Sequence, residues 1–224
     1  MKNLSSKLQN IPLKSAQWLR RYKCGPNVFA FRNLETGQVV FSQTLYPKEL
    51  DIQNQFQFAN WQNRLPKAER KDIWRPLAVV TLPNPEAAVS FYENLVQLRF
   101  MRDRSMKKQA NDWRKKSTDE NIWYYGQFRP TYTQEAVADL ASAVEASNLE
   151  CEIKWENEWR RGEDKYWEGI TNVNHAYLPK YNPREQTVML KKIAKEAYTA
   201  FRRQEKELFK SLKIGPYAEP AAQS

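Results

Sequence analysis

Between Leu98 and Leu140 a run of cations passes directly into a run of rings. Arg99, Arg102, Arg104, Lys107, Lys108, Arg114, Lys115 and Lys116 stand against Asp103 and Asp112, a net charge of +6. Trp123, Tyr124, Tyr125, Phe128 and Tyr132 follow, with Arg129 among them. Residue types in that order suit a folded nucleic acid. Cations replace counterions along the phosphates, while rings and guanidinium planes stack on unpaired bases. The same pattern also describes a solvated helix face followed by a core strand. The unbalanced charge and the surplus of rings favour nucleic acid. The residues expected to bind it are Arg99, Arg102, Arg104, Lys107, Lys108, Arg114, Lys115, Lys116, Trp123, Tyr125, Arg129 and Tyr132.

Other chemistry is poorly supported. His175 has no carboxylate partner near it in sequence, and Cys24 and Cys151 are far apart and lack a catalytic signature. They form no disulfide framework and no Cys/His metal cluster, so neither metal nor cofactor is expected. With six glycines, the chain holds no phosphate-cradling Gly-rich motif. Glu150-x-Glu152-x-Lys154, with Asp139 upstream, could hold Mg²⁺ and activate water in a nuclease. Alternating charges of this kind also mark the wet side of a half-buried strand, and that reading is preferred.

The totals agree with a polyanionic partner. The 224 residues carry a formal charge of +10, a pI near 9.5 and a mean hydropathy of −0.82. Residues 1–129 hold 22 bases and 11 acids, residues 133–168 four bases and ten acids, and residues 180–213 ten bases and four acids. An acidic middle between basic regions implies different neighbours for different faces. No apolar run approaches the roughly 20 residues of a membrane span.

The elements that must position these residues can be read from pattern. VFAFRN and QVVFSQ around Gly37 predict a β-hairpin over 28–43. Residues 44–72 read as a long polar surface loop with helical turns. LAVVTL (77–82) predicts a buried central strand. Asn84 and Pro85 open a helix that runs to about Met106, with Ala88, Phe91, Tyr92, Leu95 and Leu98 on its apolar stripe. IWYYGQF (122–128) has strand composition, 133–147 is an Ala-rich helix, and CEIKWE is a further strand. The expected fold is α+β: a small sheet with a β-hairpin packed on two helices, a basic N-terminal arm and a long C-terminal helix. The partition is a basic arm or targeting segment (1–24), an α+β nucleic-acid-binding domain (25–156), an aromatic-rich loop (157–183), a charged helix (184–213) and a flexible tail (214–224). Residues 1–24 contain no acid, which fits a mitochondrial transit peptide and a retained ribosomal arm equally. The charged helix, with its loose apolar seam, is expected to lie on RNA or another subunit and not in the main core.

Two resemblances add to this. The hairpin resembles that of the GIY-YIG nucleases in strand and turn length. Phe29 and Val40 fall where tyrosines belong and Ser42 where a glycine belongs, which implies an inactive scaffold. More specifically, WYYGQFRPTYTQEAVADL, Lys71-Asp72-Ile73-Trp74 and Trp155 to Arg160 with Trp167 resemble a fungal mitochondrial family. It is known both as the mitochondrial homologous recombination protein and as a fungus-specific protein of the mitochondrial large ribosomal subunit. The resemblance spans Pro26 to Trp167. It implies large-subunit rRNA and neighbouring ribosomal proteins as partners, a link to mitochondrial DNA recombination and transcription, and a place in the mitochondrial matrix, with the nucleus as a second location. A DNA-binding factor acting off the ribosome would use the same basic surface.

Overall fold

The structure, a computed structural model, describes residues 13–56, 70–101 and 133–211. Five strands form one sheet in the order β2-β1-β3-β4-β5. They are β1 (Asn27–Asn33), β2 (Val39–Ser42), β3 (Trp74–Thr81), β4 (Cys151–Trp155) and β5 (Val173–Tyr177). All neighbours run antiparallel except β4 and β5. The helices are α1 (Ala16–Arg21), α2 (Glu49–Gln55), α3 (Pro85–Phe100), α4 (Thr133–Ser147) and α5 (Gln186–Ser211).

The α+β class is as expected. The hairpin pairs Phe29 with Ser42 through Arg32 with Val39. Its turn is set by Asn33, whose side chain accepts from Glu35 N and Thr36 N, and by Gly37 at φ 72°. Asn84 caps α3 by accepting from Ala87 N at 2.7 Å. The helix at 133–147 and the strand at 151–155 also stand where pattern placed them. Pro76 cannot donate to a sheet ladder. The β1–β3 register shifts beside it, where Ala30 pairs with Ala78 but Phe31 with Pro76. The expected strand at 122–128 lies outside the described residues.

Alternation along the central strands sends side chains to two cores. Val28, Ala30, Ala78, Val80, Ile153 and Trp155 face α1, α3 and α4. Phe29, Phe31, Val40 and Val79 face the other way, into a cluster with Ile52, Phe56, Met189, Leu190, Ile193 and Ala194. Burial on both faces explains why β1 and β3 read as nearly unbroken apolar runs.

That second core corrects several expectations. The C-terminal helix is not a detached element: Leu190 is 0% exposed against the sheet. Its start is fastened to β3, with Gln186 Nε2 donating to Trp74 O at 3.0 Å and Arg75 Nη1 to Gln186 Oε1 at 3.1 Å. Its seam looked loose because the charged exposed face is wide, while the buried stripe is continuous at Met189, Leu190, Ile193 and Ala194. Within 44–72, expected as a surface loop, α2 buries Ile52 and Gln55. The end of the basic arm is folded too. Leu19 is fully buried, and Arg20 pairs with Glu86 at 3.0 Å and lies over the Phe201 ring.

The segment 157–183 was expected to be irregular, yet it supplies β5 and buries Trp167. His175 sits on β5, where Trp155 Nε1 donates to its Nδ1 at 3.0 Å and the Trp167 ring meets it edge-on at 4.5 Å. Burial and nearby Arg161 push its pKa down to about 4, so the ring is neutral with its proton on Nε2.

Two outcomes are expected. Leu190→Ala should cost about 2–5 kcal/mol of stability in denaturant unfolding, whereas a detached helix would show little change. Because the folded His175 pKa lies below the ordinary value, its contribution is complete above pH ~6.5 and is lost as pH falls towards 4. His175→Gln should therefore flatten the pH dependence of the melting temperature in that window relative to the parent chain.

Candidate nucleic-acid interface

α3 aims the basic run. Its apolar stripe seats it on the sheet, and its C-terminal end carries Arg99. That residue was expected on a phosphate, but it is 2% exposed. Its Nη1 donates to Gln55 Oε1 at 2.7 Å, and its guanidinium lies over Phe41 and Phe56 at 5.0 and 5.6 Å. Gln55 also pairs with both backbone groups of Phe41, accepting from N at 2.8 Å and donating to O at 2.6 Å. Asp51 joins the same corner, accepting from Ser42 Oγ and Tyr92 OH. Burial raises the Asp51 carboxyl and pushes the Tyr92 phenol well above its ordinary value. Arg99 is thus a core residue, because its planar cation fits between rings and closes a polar network.

Arg102, Arg104, Lys107, Lys108, Arg114, Lys115, Lys116, Trp123, Tyr125, Arg129 and Tyr132 lie outside the described residues. Their flanks are placed: the stretch leaves α3 and re-enters at α4, and these two helices pack together on one face of the sheet.

The described structure adds a second basic surface. On α5, Met189, Leu190, Ile193, Ala194 and Phe201 are buried, which fixes the opposite face in solvent. Arg184, just before the helix, and Lys191, Lys195, Arg202, Lys206 and Lys210 follow one another at spacings of four or seven residues and are all exposed. At 3.6 residues per turn they share that outward face, and Lys191 to Lys210 spans roughly 28 Å. Glu196 and Glu207 fall to the flank, and Glu205 turns towards Arg20 and Arg202. A ridge of exposed cations along a core-anchored helix, with Glu205 paired to Arg202, has the charge pattern that a phosphate backbone would meet. Sequence reading expected this helix on RNA or another subunit but named none of its cations as a site. The signal for them was the four- and seven-residue spacing of cations opposite the apolar stripe.

The nuclease constellation is not assembled. Cys151, Ile153 and Trp155 face α4, so the alternating Glu152 and Lys154 point to the other side of the sheet from Asp139. Glu152 and Lys154 pair with each other at 3.1 Å. Phe29 and Val40, at the tyrosine positions of the GIY-YIG likeness, are fully buried under α5. The likeness itself rests on sequence alone.

Comparison with known proteins finds relatives over most of the chain. Residues 25–109 match the family described as transcriptional regulation of mitochondrial recombination. The chain is 50% identical over 190 residues to large ribosomal subunit protein mL67 of Candida albicans, covering 84% of this chain and 79% of that protein. It is 43% identical over 189 residues to mL67 of Debaryomyces hansenii, covering 84% and 80%. With mL67 of Eremothecium gossypii the identity is 41% over 191 residues, covering 84% and 89%.

Replacing Lys191, Lys195, Lys206 and Lys210 together by Gln should weaken RNA binding similarly across sequences. The slope of log affinity against log salt should flatten by roughly 3, at about 0.7–0.9 for each phosphate neutralised. Stability should stay within about 0.5 kcal/mol for each exposed site. An unchanged slope with folded protein would remove α5 from the interface.

Proposed function

This chain belongs to the mL67 family, and on that premise we propose that it is a non-catalytic component of the mitochondrial large ribosomal subunit that binds rRNA. The observation that carries the reading is the sorting of α5: one face is bolted to the sheet and the other is a ridge of cations. A ribosomal protein needs that division, since its own fold must hold the basic surface rigid against RNA. The run Arg102 to Lys116 neutralises further phosphates, and Trp123, Tyr125, Arg129 and Tyr132 stack on unpaired bases. Arg99 roots that run in the core. The neighbours are ribosomal proteins, and the location is the mitochondrial matrix.

A second reading is supported by the match to the family of transcriptional regulation of mitochondrial recombination. In it the same cations hold mitochondrial DNA, and the protein acts off the ribosome, with the nucleus as a further location. The buried Phe29 and Val40 and the separated carboxylates support a binding role in either case.

Sedimentation separates the two. The chain should co-migrate with the large subunit at moderate salt, and Arg114→Ala with Lys115→Ala and Lys116→Ala should release it at lower salt. The salt slope on naked rRNA should flatten by about 0.7–0.9 for each phosphate these side chains neutralise. A chain that stays at the top of the gradient and binds duplex DNA with the steeper slope would replace the ribosomal reading with the second one.

A further inference from the structure

Trp159 is 89% exposed, the most exposed of the large apolar side chains among the described residues. It is nevertheless held on a fixed frame. A short 3₁₀ turn, Glu158–Arg160, presents it, with Arg160 N bonded to Asn157 O and Arg161 N to Glu158 O, both at 3.1 Å. On one side, Glu156 joins Arg160 at 3.2 Å and Arg32 at 3.5 Å, and its backbone N donates to Leu77 O at 2.9 Å. On the other, Trp167 Nε1 donates to Arg161 O at 3.1 Å, and Arg161 pairs with Asp164 at 3.1 Å. Gly162 closes the frame at φ 80°, where a Cβ would lie 3.1 Å from Val137 Cγ1. Sheet, α4 and buried Trp167 all fix the backbone of this turn, so the position from which the ring projects into solvent is held.

Exposing an indole on a rigid frame loses the hydrophobic stabilisation its burial would give, and it serves none of the core. Tryptophan is enriched among the few residues that dominate protein–protein interfaces. The charge around it selects the partner. Within 156–168 five acids stand against three bases; the exposed charges are Glu158, Glu163, Asp164 and Glu168 against Lys165, which pairs with Glu163 at 2.5 Å. Arg160 and Arg161 are only partly exposed and are held by Glu156 and Asp164. An unpaired base stacked on Trp159 would bring its phosphates against that acidic rim. A protein surface rich in Lys and Arg would meet complementary charge.

We propose that Trp159 is the anchor of a docking surface for a basic protein, distinct from the cationic ridge of α5. The inference rests on the ribosomal reading only for where that partner is found.

The test places p-benzoylphenylalanine at position 159 of the full chain in cells and irradiates them. The expected product joins this chain to another protein, through a peptide from a Lys/Arg-rich surface. A product with RNA, with a second copy of this chain or with an acidic or uncharged peptide overturns the inference, as does the absence of any product. The sedimentation of the chain reads the ribosomal proposal separately: migration away from the large subunit with the basic cross-link intact would overturn that proposal and keep this one. Trp159→Ala should weaken binding of the identified partner about tenfold or more, and Trp159→Phe much less. The melting temperature and the salt slope on rRNA should be unchanged in both. A Trp159→Ala chain that binds the partner normally would also overturn the inference.

Discussion

The sheet is apolar on both faces, and the placement of every helix follows from that. Val28 and Ala30 point one way from β1, Phe29 and Phe31 the other, and all four are buried. A strand of this kind cannot leave either side to water, so α1, α3 and α4 cover one face and α5 with α2 the other. Covering the second face commits the Met189 to Ala194 stripe of α5 inward. The same commitment fixes which of its cations point outward. The candidate interface is therefore a consequence of core packing: the apolar requirement of β1 and β3 orients the charges of a helix far away in sequence.

The edge strand β2 is handled by polar chemistry. An edge leaves backbone donors and acceptors unpaired, and a neighbouring chain could add to it. Gln55 satisfies Phe41 N and O from α2, and Arg99 from α3 closes on Gln55. Removing one member of such a buried network leaves the others unsatisfied, at about 1–3 kcal/mol for each neutral group and more for the cation. The network ties two helices to the edge and fixes where the basic run leaves the core. An arginine that counts as part of that run by sequence acts as its buried root.

The molecule shows unlike faces to its surroundings. α5 presents mainly cations on its outward face, whereas the turn bearing Trp159 presents mainly acids around one ring. Such polarity suits a protein wedged between nucleic acid and basic neighbours, the situation of a subunit within a large ribonucleoprotein. It also accounts for the modest charge of the chain's second half, where ten acids in 133–168 offset the ten bases of 180–213.

The sequence by itself determined the hairpin with its Gly37 turn, the Asn84 cap, the central strand, the helix at 133–147, the basic character and the family. Each is carried by local chemistry or by a contiguous motif: a turn residue, a cap, a run of apolar residues, a string of cations. It did not reveal β5, because residues 173–177 gain strand character only by pairing with β4 and by the bond from Trp155 to His175. Nor did it reveal the burial of α2, whose polar Gln55 is buried because it serves the backbone of β2. That Arg99 is buried and that the α5 cations face outward was decided by tertiary structure alone. Charge can be counted along a chain, but whether a cation meets water or a core depends on which surface the opposite side of its helix must cover.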